Sequence, residues 1–234
     1  MANLFDYIAW RGDLSFAQCP VCAVDSLVFA ALSYANLEVL VPDGFPSLPL
    51  QEAAEALMAR PDHDKLVRSE NDGKFLLTAA RSPRFRSVQV CCCRAKALED
   101  LETQFGAMAF LLPDGSAFLA FRGTDLTLVG WKEDFNMSFQ DIVPAQTEAA
   151  EYLKEFAAVF DGPLYLTGHS KGGNLSVYAA ATASLDVQER IRAVYNYDGP
   201  GFGQSMMGSE GYLRMVPRIQ TYVPESSIIG MLLE

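Results

Sequence analysis

The chain has 234 residues, half of them hydrophobic and a fifth charged, with a formal net charge of −11. That length suits one large domain or a domain with a small lobe, with the composition of a soluble globular enzyme. The acidic balance excludes nucleic acid as a partner, since phosphates need clustered Lys and Arg, and it speaks equally against docking on an anionic membrane surface.

Met1 to Tyr7 carries no basic stretch ahead of an apolar run, so no secretory signal is expected. Nowhere do about 18 uncharged apolar residues run together, so integral membrane association is not expected and a cytoplasmic location follows. Cys19-Pro20-Val21-Cys22 has the spacing of a zinc or redox pair. Zinc needs four ligands, however, and only Cys91, Cys92 and Cys93 could supply the rest. The five cysteines therefore read as small apolar side chains of a reduced protein, and neither a metal nor a cofactor is called for.

Residues 24–35 read as a buried helix capped near Asp25. After the Pro-rich loop 42–49, residues 50–60, 62–70 and 73–81 read as short helices. Val88 to Arg94 looks like a strand, on which Cys91 and Cys93 would share one face and Cys92 would point to the other. The apolar runs 104–112 and 116–121 flank Pro113-Asp114-Gly115, a hairpin signature. Residues 145–160 place Ala149, Leu153, Phe156 and Phe160 at helical spacing, with Glu148, Glu151 and Lys154 opposite. A strand over 163–167, a helix over 171–183, a strand over 191–197 and a last strand over 218–223 follow. This alternation from residue 116 onward predicts an α/β fold with a mostly parallel sheet flanked by helices. Residues 1–85 then form a helix-rich N-terminal flank or cap, and residues 86–234 the core.

Leu164 to Asn174 carries the chemistry. An apolar strand runs into Gly168-His169-Ser170-Lys171-Gly172, a sharp glycine-bounded turn, and then into a small-residue helix. This is the nucleophile-elbow pattern, in which small residues let a serine occupy a strained strand-to-helix turn with its hydroxyl exposed. Ser170 is the candidate nucleophile, and the backbone N–H of Lys171 is a candidate oxyanion donor. The Lys171 side chain could attract an anionic group or simply cover apolar surface while its ammonium pairs with a carboxylate. His169, beside the nucleophile, is expected to project away from the hydroxyl and brace the turn from within the core.

Phe118-Leu119-Ala120-Phe121-Arg122-Gly123-Thr124, followed by Gly130-Trp131-Lys132-Glu133-Asp134-Phe135, resembles the F-R-G-[ST] … W-x-x-D-[LF] stretch of class 3 (triacylglycerol) lipases. Tyr195-Asn196-Tyr197-Asp198-Gly199-Pro200-Gly201-Phe202-Gly203 resembles the same family's T-F-G-x-P-R-x-G strand exit. With Asp6-Tyr7 and Trp10-Arg11-Gly12-Asp13, the chain is also similar to an uncharacterised lipase-like family of gut Firmicutes. The resemblance implies an α/β-hydrolase fold, an oxyanion donor at Thr124 and a lid-like segment over 125–136. It also implies a triad acid after the last strand and a histidine much later.

Here the chain departs from the pattern. Ser227 stands where the lipase aspartate would fall, so the acid is either Asp198 or Glu225. Asp198 could instead cap its turn, and Glu225 could be a solvated loop carboxylate. No histidine follows Ser170, and His63, between Asp62 and Asp64, reads as a solvated surface residue. The expectation is a hydrolase truncated at its C-terminus, with the catalytic histidine beyond Glu234. Two functions stay open at this point: a carboxylesterase or lipase-like serine hydrolase acting on a small-molecule ester or lipid, and an inactive module of the same fold that binds a lipid or a partner.

Overall fold

The computed structural model describes residues 2–98, 103–123, 143–225 and 227. Helices α1 (Leu4–Arg11) and α2 (Ala23–Leu32) lead to a short strand β1 (Leu48–Pro49), then α3 (Leu50–Met58) and α4 (Glu70–Arg81). Strands β2 (Gln89–Leu98), β3 (Thr103–Leu111) and β4 (Ala117–Phe121) follow, then α5 (Pro144–Val159), β5 (Leu164–His169), α6 (Lys171–Thr182) and α7 (Leu185–Arg190). The described chain closes with β6 (Ile191–Tyr197), α8 (Gln204–Met207), α9 (Glu210–Met215) and β7 (Ile219–Tyr222).

All seven strands join one sheet in chain order. The pairings from β1 to β4 are antiparallel and those from β4 to β7 parallel, so the α/β class stands and the sheet is mixed. The β3–β4 hairpin turns where its residues dictate. Gly115 takes φ 81°, and the Asp114 carboxylate accepts from the Ser116 amide at 2.9 Å. Residues 62–70 give only a single 3-10 turn, His63–Lys65, rather than the expected helix. Ser69 caps α4, accepting from the Asp72 amide at 3.2 Å, and so forces the chain out of helical geometry just before Glu70.

The strand at Cys91 also departs from expectation. Between Cys91 and Arg94 the pairing with β3 slips by one residue, and Cys92 takes φ 51°. This bulge puts Cys91 and Cys92 on the same face of the sheet and Cys93 on the other, overturning the expected sharing of a face by Cys91 and Cys93.

Two apolar layers cover the sheet. On one face α2, α3 and α4 bury Phe29 against Phe110 and Phe118, with ring centroids 4.7 Å apart in each pair. On the other, α5 and α6 bury Tyr152, Phe156 and Leu175 against Leu119, Phe121 and Leu166. Helix α2 lies against β4, β5 and β6 and is pinned there by polar contacts. Thr167 Oγ1 donates to Ser26 O at 3.1 Å, and the Ser26 and Tyr197 hydroxyls lie 2.5 Å apart.

The N-terminal helices are held by a buried ion pair. Arg84 grips both oxygens of Asp25, at 2.6 and 2.5 Å, and Tyr7 donates to the same carboxylate at 2.8 Å. The Arg84 guanidinium also donates to the carbonyls of Leu14, Ser15, Cys19 and Pro20 and lies over the Phe16 ring. A buried charge needs this degree of satisfaction to be tolerated. Among the described residues no helix is long and apolar enough to cross a membrane.

Candidate active site

Because β4 to β7 are parallel, their C-terminal ends meet at one edge of the sheet. Off those ends come Arg122-Gly123, Ser170, Asp198 and the Val223–Glu225 stretch. In sheets of this type ligands bind in the crevice outside the strand C-termini.

Ser170 forms the turn between β5 and α6 with φ 56° and ψ −130°, a region L-residues avoid. The neighbours force this geometry. A Cβ on Gly168 would lie 2.1 Å from Gly172 O, and one on Gly172 would lie 2.1 Å from Phe121 O, so only glycine lets the three backbones converge. The Ser170 amide donates to Tyr197 O at 2.8 Å, and its carbonyl accepts from Gly173 N at 2.8 Å. Its side chain makes no cap bond to the helix, which leaves the half-buried hydroxyl available at the edge. The strained backbone costs about 1–3 kcal/mol and persists because strand, helix and the next strand all fix it.

Asp198 leaves β6 in the left-handed region, with φ 58°. Its amide donates to Tyr222 O at 2.9 Å, and one carboxylate oxygen accepts from the Ser227 hydroxyl. Asp198, one of the two candidate acids, is thus brought together with Ser227, the residue that stands where the lipase aspartate would fall. Glu225 is exposed on its turn. Asn174 ties the elbow to the Asp198 loop: its amide nitrogen donates to Pro200 O and Gly201 O at 3.0 and 3.1 Å, and its Oδ1 accepts from Gln146 of α5 at 2.8 Å.

His169 does brace the turn, but beside an open cavity rather than within closed core. Its Nδ1 lies 2.9 Å from the Tyr34 hydroxyl. With Leu27, Tyr197, Asp198 and Tyr222 it lines a largely apolar cavity of about 440 Å³. Burial, and then the Arg68 guanidinium, push the imidazole below its ordinary pKa while Asp198 pulls the other way, so the ring is neutral at pH 7. His63 opens the 3-10 turn His63–Lys65, its Nδ1 2.8 Å from Arg60 O and its Nε2 3.1 Å from Asp64.

Lys171 is 1% exposed, so its side chain is packed inside the fold rather than set out toward a ligand. Thr124 and the lid-like segment 125–136 lie outside the described residues. Immediately before them, Arg122 anchors the β4 exit, donating to Ser33 O at 2.6 Å and Ala35 O at 3.2 Å and pairing both nitrogens with Glu38. Sequence reasoning missed this role of Arg122, missed Tyr34, and placed Asn174 in the elbow without its tie to the Asp198 loop. A lone Arg at a strand exit and an Asn in the first turn of a helix, where amide side chains favour caps, were the available signals.

The cysteines Cys19 and Cys22 bind other groups: Arg11 donates to Cys19 Sγ at 2.5 Å, and the Tyr7 hydroxyl lies 3.4 Å from Cys22 Sγ. All five thiols are free. The described residues contain no group of three or more metal-binding side chains.

The fold is similar to that of M37 lipase, with a TM-score of 0.53 at 13% identity, covering 87% of this chain and 67% of that one. The Rhizomucor miehei lipase in its propeptide complex aligns at a TM-score of 0.47 and 14% identity, over 89% of this chain and 62% of that one. The chain therefore spans about two thirds of the length of M37 lipase, and at that identity the likeness is one of fold. No curated protein sequence matches it. The model of the Mbeg1-like family matches residues 79–234, more than half of the chain, and the chain belongs to the Mbeg1-like family.

Proposed function

We propose that the chain is a serine hydrolase of the carboxylesterase or lipase-like kind, with Ser170 as its nucleophile. The observation that carries this reading is the Ser170 backbone, held at φ 56° and ψ −130° between a strand and a helix start. A fold that needed only a tight turn would place glycine there. Serine at such a strained position supplies a hydroxyl that projects from the strand ends.

In this reading Ser170 Oγ attacks an ester carbonyl, forming a tetrahedral intermediate whose oxyanion takes a hydrogen bond from the Lys171 amide at the start of α6. Thr124, following the anchored Arg122-Gly123 pair, is the second donor. Asp198, held by Ser227 and the Tyr222 carbonyl, is favoured over the exposed Glu225 as the acid that orients a base. Nδ1 of His169 is engaged with Tyr34, and His63 with Arg60 and Asp64, so neither is assigned as the proton acceptor. The apolar cavity bordered by Asp198 suits an acyl group of a small-molecule ester or lipid. A cytoplasmic location fits the reading.

The test is hydrolysis of a short-chain p-nitrophenyl ester by the full-length protein and by Ser170→Ala. The reading expects kcat/KM to fall by at least roughly a thousandfold in the variant. Hydrolysis that survives the substitution would refute it.

A further inference from the structure

The bulge in β2 makes a pair of thiols that a regular strand forbids. Neighbouring side chains on a strand point to opposite faces, so adjacent cysteines do not meet. Here Cys91 lies opposite Ala109 and Arg94 opposite Ala107, so that Cys92 and Cys93 share the single residue Met108 as counterpart. Cys92 is the extra residue, and its left-handed backbone turns it onto the face of Cys91, beneath α5. Cys93 stays on the far face with Met108.

Both ends of the Cys92 peptide are fixed. Its amide donates to Gly44 O at 2.8 Å, and its carbonyl accepts from the Tyr152 hydroxyl at 2.8 Å. Cys91 is fully buried, whereas Cys92, 5% exposed, reaches a cleft of about 250 Å³ walled by Asp43, Gly44, Phe45, Arg94 and Tyr152. The bulge sets the two side chains next to each other in the layer beneath α5. The adjoining Cys91 thiol lowers the pKa of Cys92 below the ordinary thiol value, with help from the nearby Arg94 charge, while burial and Asp43 oppose the thiolate. The Cys91 thiol is pushed up by its neighbour Cys92 and by burial, and Cys93 by burial.

We propose that Cys91 and Cys92 form a peroxide-sensitive dithiol, in which Cys92 attacks a small hydroperoxide entering the cleft and Cys91 resolves the product to a disulfide between neighbours. The Cys92 thiolate attacks the terminal oxygen of the hydroperoxide and the O–O bond breaks. Cys92 becomes a sulfenic acid, and the departing alkoxide takes up the proton released by the thiol. The Cys91 sulfur then attacks the Cys92 sulfur, the S–O bond breaks, and hydroxide leaves with the Cys91 proton as water. The dithiol loses two electrons and two protons, and the hydroperoxide is reduced to an alcohol and water. Cys93 takes no part because it faces the other layer.

Peptide mapping of the full-length, reduced protein tests this. Brief native alkylation with iodoacetamide is expected to label Cys92 and the exposed Cys22, leaving Cys91 and Cys93 free of label. Equimolar hydrogen peroxide, followed by denaturation and alkylation, is expected to yield a peptide that has lost two hydrogens, with Cys93 its only alkylated cysteine. In Cys91→Ala the reaction stops at a Cys92 sulfenic acid that dimedone traps. Native labelling that spares Cys92, or peroxide that leaves both thiols alkylatable or bridges Cys92 to a different cysteine, would overturn the proposal. The wild-type mapping decides it even if the variant does not fold.

Discussion

Two polar clusters in this molecule each hold a carboxylate and differ in burial, hydrogen bonding and backbone strain. At Asp25 and Arg84, a carboxylate and a guanidinium are 0% and 2% exposed, joined by two hydrogen bonds and finished by Tyr7 and four backbone carbonyls. Their backbones lie outside the left-handed region. At the strand ends, Ser170 and Asp198 both sit there and are partly exposed, and Asp198 borders an open cavity. A saturated buried cluster fixes the packing of α1, α2 and the residues around Arg84 against one another. A strained, half-exposed one stores conformational energy where a ligand can reach it. Burial with full hydrogen-bond satisfaction marks the structural cluster, and exposure with backbone strain marks the candidate site.

The comparison can be broken most forcefully at the buried pair. Asp25→Asn leaves the Arg84 guanidinium buried without its counter-charge, and unfolding by urea should show a loss of about 3–5 kcal/mol. The folded fraction should keep its reactivity at Ser170. Reactivity lost without a change in stability would mean that the buried pair belongs to the site. Next comes the elbow: Gly172→Ala sets a methyl 2.1 Å from the Phe121 carbonyl, a backbone atom that cannot swing aside, and should cost about 3 kcal/mol in the same experiment. A neutral result there would show that the turn is looser than its contacts imply.

Ser170→Gly sharpens the contrast in the opposite direction. Glycine accepts φ 56° and ψ −130° freely, and no cap bond is lost, so stability should rise by about 1 kcal/mol while ester hydrolysis disappears. A destabilised variant would mean that the serine backbone carries no strain. The smallest effect is the pH dependence at His169. Its folded pKa lies below the unfolded value of about 6.5, so the unfolded chain takes up the proton first as pH falls. The stability contributed by the neutral ring is therefore complete above about pH 7 and declines on acidification through the unfolded value. Denaturation at a series of pH values should show this slope in the wild type and a shallower one in His169→Gln; identical slopes would reassign it to other groups.

Much of the fold was legible because local patterning and tertiary contacts agree. The hairpin at Pro113-Asp114-Gly115, the amphipathic helix beginning at Pro144 and the strand Ile191–Tyr197 all fall where periodicity and turn residues put them. The Ser170 turn was legible for the same reason, since its glycines are a local requirement. The misses are non-local. The bulge at Cys92 depends on Gly44 and Tyr152, 48 and 60 residues away in sequence, and a regular alternation was read in its place. The same distance in sequence hid the Tyr34–His169 contact, the anchoring of Arg122 by Ser33, Ala35 and Glu38, and the bond from Ser227 to Asp198. Long-range partners leave no periodicity to read.

The central claim is that Ser170 is a nucleophile and not merely a turn residue. Its most direct test is treatment of the full-length protein with a fluorophosphonate probe, followed by peptide mapping, beside Ser170→Ala and Asp25→Asn. The account predicts a covalent adduct on the Ser170 peptide, retained in folded Asp25→Asn and absent from Ser170→Ala. A full-length, folded protein that leaves Ser170 unmodified, or that carries the probe on another residue, would contradict it.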